Sequence, residues 1–277
     1  MVKAIIVDLD GTILPNREKH ISPENTAALE EAARRGVVRI LATGRSPYSL
    51  HRVLPQGLPI DYMVFSSGAG IMRWRDKHVL HKQELSKDDT LRIAGILWRH
   101  DVNFTIQGHI PDNHYFVYRQ VRRPVEDFRR RVEDYPGFSA PLSSFEEIRD
   151  GGTQFLAILE ADQLPLFHEL REQLSAYSVV RATSPVDKQA IWTEIFAPGV
   201  NKGSACQLLL ERLGLSFQDC AGLGNDYNDV DFLSRCRFPF VVANAPEDLK
   251  RTFPCVAADK DNGLAEFADL ALNRLPD

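Results

Sequence analysis

No window of the 277-residue sequence comes near the roughly 18 uninterrupted apolar residues that a membrane-spanning helix needs. The N-terminus also lacks the charged segment and apolar core that make up a signal peptide. We therefore expect a cytoplasmic protein that has no membrane partner. Internal repeats and low-complexity segments are missing as well.

Cysteine is scarce in this chain. The four cysteines all follow residue 200 and contain no CxxC pair; they are Cys206, Cys220, Cys236 and Cys255. No histidine lies at metal-site spacing from any of them. We therefore expect reduced thiols that serve as packing residues, and neither a disulfide framework nor a zinc site.

An excess of basic charge is also absent, because 33 Lys and Arg face 38 Asp and Glu, for a net charge of −5. This balance argues against a nucleic-acid partner, which usually needs a basic face. It is compatible with a small anionic ligand that a few local cations hold. The length predicts two domains, and it fits a monomer as well as a small homo-oligomer.

The opening stretch MVKAIIVDLDGTIL has the pattern of a buried strand that ends at two carboxylates. Since side chains alternate along a strand, Asp8 and Asp10 point to the same side while Leu9 turns back into the core. Two acids in one small volume require compensation by a shared proton, a bound cation or a lysine. The stretch therefore predicts a metal site, although an aspartate that caps a plain turn is the alternative.

Strand and helix patterns alternate with short links at both ends of the chain, which is typical of a doubly wound parallel sheet. Between them, polar alternating strands and amphipathic helices at about 86–100, 125–135 and 162–176 indicate an antiparallel α+β module. From Ala190 the α/β pattern returns, with AIWTEIFAP as its first strand. We therefore predict a doubly wound α/β core, 1–82 and 188–277, into which an α+β cap, 83–187, is inserted.

Chemically capable residues follow the predicted core strands, at the edge where ligands of parallel sheets gather. They are Asp8, Asp10, Gly11 and Thr12, then Thr43 and Gly44, then Lys202 at a helix start, and finally Asn225, Asp226, Asn228 and Asp229. Acids, a hydroxyl beside a glycine and one lysine suit phosphoryl transfer through a covalent aspartate. Each group taken singly could also be a turn or a helix cap, but four groups in this order favour function.

Four stretches resemble the motifs of the haloacid dehalogenase superfamily of phosphatases, in chain order. They are DLDGT at 8–12, LATGR at 41–45, NKG at 201–203 and GNDYND at 224–229. The insertion between the second and third motifs resembles the C2-capped subgroup, which contains Cof-type hydrolases and the mannosyl-3-phosphoglycerate and sucrose-phosphate phosphatases. VVANAPEDLK at 241–250 is a further similar stretch.

The resemblance implies a role for each matching residue. Asp8 would be the nucleophile and a magnesium ligand, and Asp10 would protonate the leaving oxygen and then activate water, while its carbonyl binds the metal. Thr43 and Lys202 would hold the phosphoryl group, and Asp229 would steady Lys202 or a metal-bound water. Further contacts to the phosphate or the substrate are expected from Gly11, Thr12, Gly44 and Asn228.

One position departs from the family pattern. The last motif usually begins with Gly-Asp, whereas this chain has Gly224 and Asn225, followed by Asp226. Magnesium accepts an amide oxygen, so Asn225 could coordinate with one negative charge fewer. Either Asn225 or Asp226 is therefore the third ligand.

The resemblance implies Mg²⁺-dependent hydrolysis of a small phosphorylated metabolite, with sugar phosphates as the substrate class. Polar cap residues are candidates for contacts to its organic part; they are Gln107, Asn113, Tyr118 and Arg119. A sugar phosphomutase with the same chemistry is one alternative. A phosphosugar-binding regulator that has lost turnover is the other, and Asn225 is the feature that favours it.

Overall fold

The computed structural model describes residues 1–15, 20–122, 125–183 and 190–274, and the side chains of all of them except 183 and 274. These residues form two compact units. The core unit comprises Met1–Arg45, Ser49–Lys82 and Asn201–Asp277, and the inserted unit comprises Ser46–Tyr48 and Gln83–Val200.

The strands of the described residues are, in chain order, β1 Ala4–Asp8, β2 Val38–Ala42, β3 Tyr62–Phe65, β4 Gly70–Arg73, β5 His78–Lys82, β6 Asn103–Gln107, β7 Phe116–Arg119, β8 Ser139–Pro141, β9 Gln154–Leu159, β10 Ser178–Thr183, β11 Ile191–Phe196, β12 Cys220–Gly224, β13 Phe238–Val242 and β14 Cys255–Val256. The α-helices are α1 Pro23–Arg34, α2 Pro47–His51, α3 Lys87–Arg99, α4 Glu126–Glu133, α5 Leu164–Gln173, α6 Lys202–Arg212, α7 Val230–Leu233, α8 Glu247–Thr252 and α9 Gly263–Asp269. None of the helices in the described ranges has both the length and the apolarity of a membrane span.

The core unit is built on one eight-stranded sheet with the order β14-β13-β12-β1-β2-β3-β4-β5. The strands from β14 to β3 are parallel, and β4 and β5 add an antiparallel hairpin at one edge. β1 lies in the middle, and all five of its residues are buried. A strand covered on both faces needs a continuous apolar run, which explains the sequence AIIV before Asp8.

Helices cover both faces of this sheet. Val241 of β13 belongs to an apolar cluster that includes Leu209 of α6 and Phe232 of α7. The preceding residue, Phe240, points to the other face, where its ring lies 5.6 Å from that of Phe267 in α9. α1 packs against α9 on that second face. The predicted doubly wound core is therefore confirmed.

The inserted unit has a six-stranded sheet with the order β10-β11-β9-β6-β7-β8, antiparallel except for the β7–β8 pair. Trp98 of α3 packs against Phe104 of β6 on one face, with ring centroids 6.2 Å apart. Phe128 of α4 packs against Leu156 of β9. α3, α4 and α5 confirm the three helices that the sequence predicts for this region.

The prediction from the sequence placed one strand in the wrong sheet. Ile191–Phe196, predicted as the first strand of the returning core, pairs on both sides with strands of the inserted unit, β9 and β10. The division between the units therefore falls after Val200, and the predicted boundary at 187 and 188 lies outside the described residues. An apolar run shows that a strand is buried, but it carries no information about which strands are its neighbours.

Gly36 ends α1 in a left-handed conformation, with φ of 73° and its N–H donating to the carbonyl of Ala33. A Cβ at this position would contact nothing within 4 Å. We expect Gly36→Ala to lower the free energy of unfolding by about 1 kcal/mol, because only backbone strain is added.

Gly57 is the matched control for this prediction, since a Cβ there also meets open space while its φ lies outside the left-handed range. Gly57→Ala should leave the free energy of unfolding unchanged or slightly raised. Urea denaturation of both variants is the measurement. Equal losses in the two variants would contradict the strain argument.

Candidate active site

The register of the central strands brings the motif residues to one edge of the core sheet. Asp8 of β1 is paired with Ala42 of β2, so that Thr43 follows directly beside it. On the other side Val7 is paired with Leu223 of β12, and the loop that begins at Asn225 follows. This edge is the carboxyl end of the parallel strands, where α/β sheets bind ligands.

A buried lysine joins the first and last motifs. The ammonium of Lys202 lies 2.6 Å from Oδ1 of Asp8 and 2.7 Å from Oδ1 of Asp229. It is also 3.4 Å from Oδ1 of Asn228. Lys202, Asp8 and Asp229 are 1%, 5% and 0% exposed, so these charges interact with little screening by water.

The capped start of α6 explains why Lys202 is held in this place. Asn201 precedes the helix, and its Oδ1 accepts the N–H of Ser204 at 2.7 Å while the Ser204 hydroxyl accepts the N–H of Asn201. Lys202 is therefore the first residue of a helix with a fixed beginning. Gly203 allows close approach to α7, since a Cβ there would lie 2.8 Å from the backbone of Asp231.

Asp229 fastens the loop that carries the last motif. Its Oδ2 accepts the backbone N–H groups of Asn225 and Asp226 at 2.9 and 3.1 Å, while Oδ1 faces Lys202. The carboxylate comes this close because residue 224 is glycine; a Cβ at Gly224 would lie 2.7 Å from that of Asp229. Asp229 thus contacts both Lys202 and the loop that carries the last motif, and its supporting role stays a prediction.

The second oxygen of Asp8 is held by its own loop. The hydroxyl of Thr12 donates to Oδ2 of Asp8 at 3.0 Å. The loop turns sharply there, because the carbonyl of Leu9 accepts N–H groups from Thr12, Ile13 and Leu14 and Gly11 has a φ of 76°. Glycine adopts that conformation without strain.

The buried cluster holds two carboxylates and one ammonium, which leaves one negative charge in excess. Burial and the neighbouring Asp229 raise the pKa of Asp8 to about 7, against the opposing effect of Lys202. Burial alone would lower the pKa of Lys202, but Asp229 and Asp8 together raise it above its ordinary value. A cation beside Asp8 would balance the cluster and favour the ionised carboxylate.

Asp10 is held by an arginine to which the sequence analysis gave no role. Arg45 grips the Asp10 carboxylate in a fork, with Nη2 at 2.6 Å from Oδ1 and Nε at 2.8 Å from Oδ2. Its Nη1 also donates to the hydroxyl of Ser49 at 3.0 Å. Such a two-bond pair fixes both the distance and the plane of the carboxylate. The signal in the sequence that could have identified Arg45 is its position directly after Thr43 and Gly44.

Thr43 and Gly44 lie in the loop after β2. Thr43 is buried, and its hydroxyl accepts the N–H of Arg45 at 3.1 Å. Its carbonyl accepts the N–H of Ser67. Ser66 and Ser67 have φ values of 48° and 52°, an uncommon conformation for serine that tends to occur at functional sites.

Asn225 and Asp226 have different surroundings. Oδ1 of Asp226 accepts the N–H of Tyr227 at 2.8 Å, so this side chain caps the turn Tyr227–Asp229. Among the described residues, the side-chain amide of Asn225 has no hydrogen-bond partner. Asn225 therefore has the less engaged oxygen of the two.

The described residues contain no group of three or more His, Cys, Asp and Glu side chains arranged for a metal ion. The oxygen donors that the sequence analysis names as metal ligands are the Asp8 carboxylate, the Asp10 carbonyl and either the Asn225 amide or the Asp226 carboxylate, and their loops follow β1 and β12 at this edge. Magnesium prefers oxygen ligands and keeps several waters, so a set with few carboxylates is chemically suitable. The excess negative charge around Asp8 also fits a cation.

The four cap candidates all lie in the inserted unit, and two of them are engaged in its packing. Arg119 donates to Asp101 at 2.6 Å and lies over the ring of Trp98. Tyr118 packs edge-on against Phe128. These contacts account for both residues, whereas Gln107 and Asn113 are buried polar side chains of this unit. In the described residues Oε1 of Gln107 has no hydrogen-bond partner.

Comparison with known proteins gives a consistent result. A family profile described as haloacid dehalogenase-like hydrolase matches residues 5–267. The 5-amino-6-(5-phospho-D-ribitylamino)uracil phosphatase YwtE of Bacillus subtilis (strain 168) is 24% identical over 292 residues, covering 98% of this chain and 99% of the relative. The HMP-PP phosphatase of Shigella boydii serotype 4 (strain Sb227) is 23% identical over 261 residues, covering 92% and 93%.

Solved structures show the same fold. BT1666 from Bacteroides thetaiotaomicron, a phosphatase of the HAD superfamily, superposes with a TM-score of 0.81 at 18% identity, over 98% of this chain and 95% of that chain. The HAD subclass IIB sugar phosphatase BT4131 gives 0.75 at 19% identity, over 95% and 96%. Because the profile spans the motifs of the core unit and the whole inserted unit, the chain belongs to the haloacid dehalogenase-like hydrolases, the enzyme family that its four motifs resemble.

Proposed function

We propose that this hydrolase is a Mg²⁺-dependent phosphatase that cleaves a small phosphomonoester through an aspartyl-phosphate on Asp8. The observation that supports this most strongly is the buried ammonium of Lys202 between Asp8 and Asp229. A nucleophilic carboxylate that must approach an anionic phosphate needs positive charge beside it. Lys202 supplies part of that charge, and a cation beside Asp8 would supply the rest.

In the first half of the reaction, a carboxylate oxygen of Asp8 attacks phosphorus and the bond to the leaving oxygen breaks. Asp10 delivers a proton to that oxygen, and Thr43 and Lys202 hold the oxygens of the phosphoryl group. Both oxygens of the Asp10 carboxylate accept hydrogen bonds from Arg45, so Asp10 must exchange one of these bonds for the proton that it delivers. The leaving group departs as an alcohol.

In the second half, water attacks the phosphorus of the aspartyl-phosphate and Asp10 accepts the proton from that water. The bond between phosphorus and the Asp8 oxygen breaks, which releases inorganic phosphate and restores the carboxylate. Asp8, the Asp10 carbonyl and either Asn225 or Asp226 would hold magnesium. When bound, the ion would supply charge that offsets the phosphate and the Asp8 carboxylate.

The names of the relatives support a proposal for the substrate class. YwtE and the HMP-PP phosphatase are named for small phosphorylated metabolites, and BT4131 is a sugar phosphatase. We therefore propose a sugar phosphate or a related small metabolite as the substrate. Contacts from the inserted unit to the substrate's organic part, such as one from Gln107, stay predictions of the sequence analysis.

The test is phosphate release from a panel of sugar phosphates, nucleotides and p-nitrophenyl phosphate, with magnesium and with a chelator. Release that requires magnesium supports the proposal and ranks the substrates by kcat/KM. Isomerised sugar phosphate without phosphate release would replace it by a phosphomutase. Binding of sugar phosphates without any turnover would replace it by a regulator.

The choice between Asn225 and Asp226 as the third ligand leads to a prediction. If Asn225 coordinates, Asn225→Asp restores a negative charge to the ligand set and should lower the magnesium concentration for half-activation by about tenfold. Asp226→Asn should leave that concentration unchanged, because asparagine can also cap the turn at Tyr227. Magnesium titration of phosphate release measures both effects. A higher magnesium concentration for half-activation in Asp226→Asn, together with no change in Asn225→Asp, would assign the ligand to Asp226.

A further inference from the structure

Asn244 joins three loops at the edge of the core sheet that carries Asp8. It follows β13 and is exposed, yet both ends of its side-chain amide are bonded. Its Nδ2 donates to the carbonyl of Gly11 at 2.8 Å, and its Oδ1 accepts the N–H of Asp259 at 2.9 Å. The loops after β1, β13 and β14 are thus tied by one side chain.

The bond to Gly11 acts on a single peptide plane. The carbonyl of Gly11 and the N–H of Thr12 belong to the same planar group, so fixing one end orients the other. The N–H of Thr12 donates to the carbonyl of Leu9 at 3.3 Å, which is a long bond. The Thr12 hydroxyl in turn donates to Oδ2 of Asp8 at 3.0 Å. The path of bonds from Asn244 to the carboxylate of Asp8 therefore passes through only two residues, Gly11 and Thr12.

Within the loop, the N–H of Gly11 donates to the carbonyl of Leu14 at 2.8 Å, and the bond from Asn244 adds an anchor from outside the loop at the flexible Gly11. Glycine has no side chain and populates positive and negative φ almost equally, so nothing in Gly11 itself enforces its φ of 76°. Asparagine suits the position because its amide carries both a donor for Gly11 and an acceptor for Asp259. An aspartate would keep only the acceptor.

We propose that Asn244 is a positioning residue that holds the Asp8-bearing loop, residues 9–14, through the carbonyl of Gly11. Its contribution to catalysis rests on the proposed function, in which Asp8 attacks phosphorus. Loss of the anchor lets the Gly11–Thr12 peptide rotate and loosens the Thr12 hydroxyl on Asp8. Since small errors in the position of a nucleophile cost up to about a hundredfold in rate, we expect a 10- to 100-fold lower kcat.

The experiment compares Asn244→Ala and Asn244→Asp with a matched control, Lys250→Ala. Lys250 donates to the carbonyl of Ala243 in the same loop but does not contact Gly11. For each protein, kcat, KM and the hydrogen–deuterium exchange of residues 9–14 are measured. Both Asn244 variants should lower kcat with KM within about twofold and should speed the exchange, whereas Lys250→Ala should change none of the three.

Three results would overturn the proposal. One is unchanged exchange of residues 9–14 in both Asn244 variants, and another is a normal kcat in them despite faster exchange. The third is an equal effect in Lys250→Ala, which would reveal a general loosening of the loop after β13. Failure of the proposed function is distinguishable, since the wild type would then release no phosphate while the exchange measurement still reports whether Asn244 anchors the loop.

Discussion

Replacing Lys202 by methionine is expected to lower the free energy of unfolding by about 3–5 kcal/mol and to abolish phosphate release. Methionine has a similar volume, so the loss comes from charge: Asp8 and Asp229 would remain buried without the ammonium that lies within 2.7 Å of each. Removing one partner from a buried ionic cluster leaves uncompensated charge in a medium that solvates it poorly. Urea denaturation at pH 8 measures the change.

Two further variants make this prediction specific. Lys3→Met removes an ion pair with Asp219 at the surface, where the two side chains are 62% and 22% exposed. The free energy of unfolding should therefore fall by only about 0–1 kcal/mol. In Asp8→Asn/Lys202→Met only one carboxylate is left in the cluster, and part of the stability should return without any activity. A loss in Lys202→Met no larger than that in Lys3→Met would contradict the buried-charge account.

Asp8→Asn is expected to lower phosphate release by at least about 10⁴-fold, because an amide cannot form the aspartyl-phosphate. The variant should nevertheless fold. Lys202 then faces Asp229 alone, and the excess negative charge of the cluster disappears. We therefore expect Asp8→Asn, measured without magnesium at pH 8, to be at least as stable as the wild type.

The pH dependence of that stability difference follows from the pKa of Asp8. Burial, and after it Asp229, raise this pKa from 3.8 to about 7 in the folded protein. The wild type therefore loses stability as the pH rises from about 4 to 7, while Asp8→Asn lacks this loss. The advantage of the variant should grow over that interval and level off above pH 7. A variant that keeps its activity, or one that is less stable than the wild type at pH 8, would contradict the assignment.

Several parts of the molecule could be predicted from local sequence because their signals are local. α1 begins after Ser22, whose hydroxyl accepts the N–H of Asn25, and it ends before Gly36. The buried strand β1 is recognisable from four consecutive apolar residues. Asp8, the last residue of β1, and Asp10, two residues further on, were expected on one side because alternation along a strand is a property of the backbone itself.

Other parts required the tertiary structure. β11 is as apolar as a core strand, and only its pairing with β9 and β10 assigns it to the inserted unit. Arg45 and Asp10 are 35 residues apart in the chain, and Asn244 and Gly11 are 233 apart. No local pattern reports such pairs, since a side chain's partner depends on which strand ends the fold brings together.

The sequence by itself determined which residue types the candidate site contains and in what order: two aspartates at the end of the first strand and just after it, a hydroxyl, a lysine and an acidic loop. The tertiary structure decided how these groups are charged and held. Burial raises the pKa of Asp8. The assembled strands and helices place the ammonium of Lys202 between two carboxylates, and Arg45 holds the Asp10 carboxylate. Charge and direction depend on distance and on exclusion of water, and both exist only after the strands are assembled.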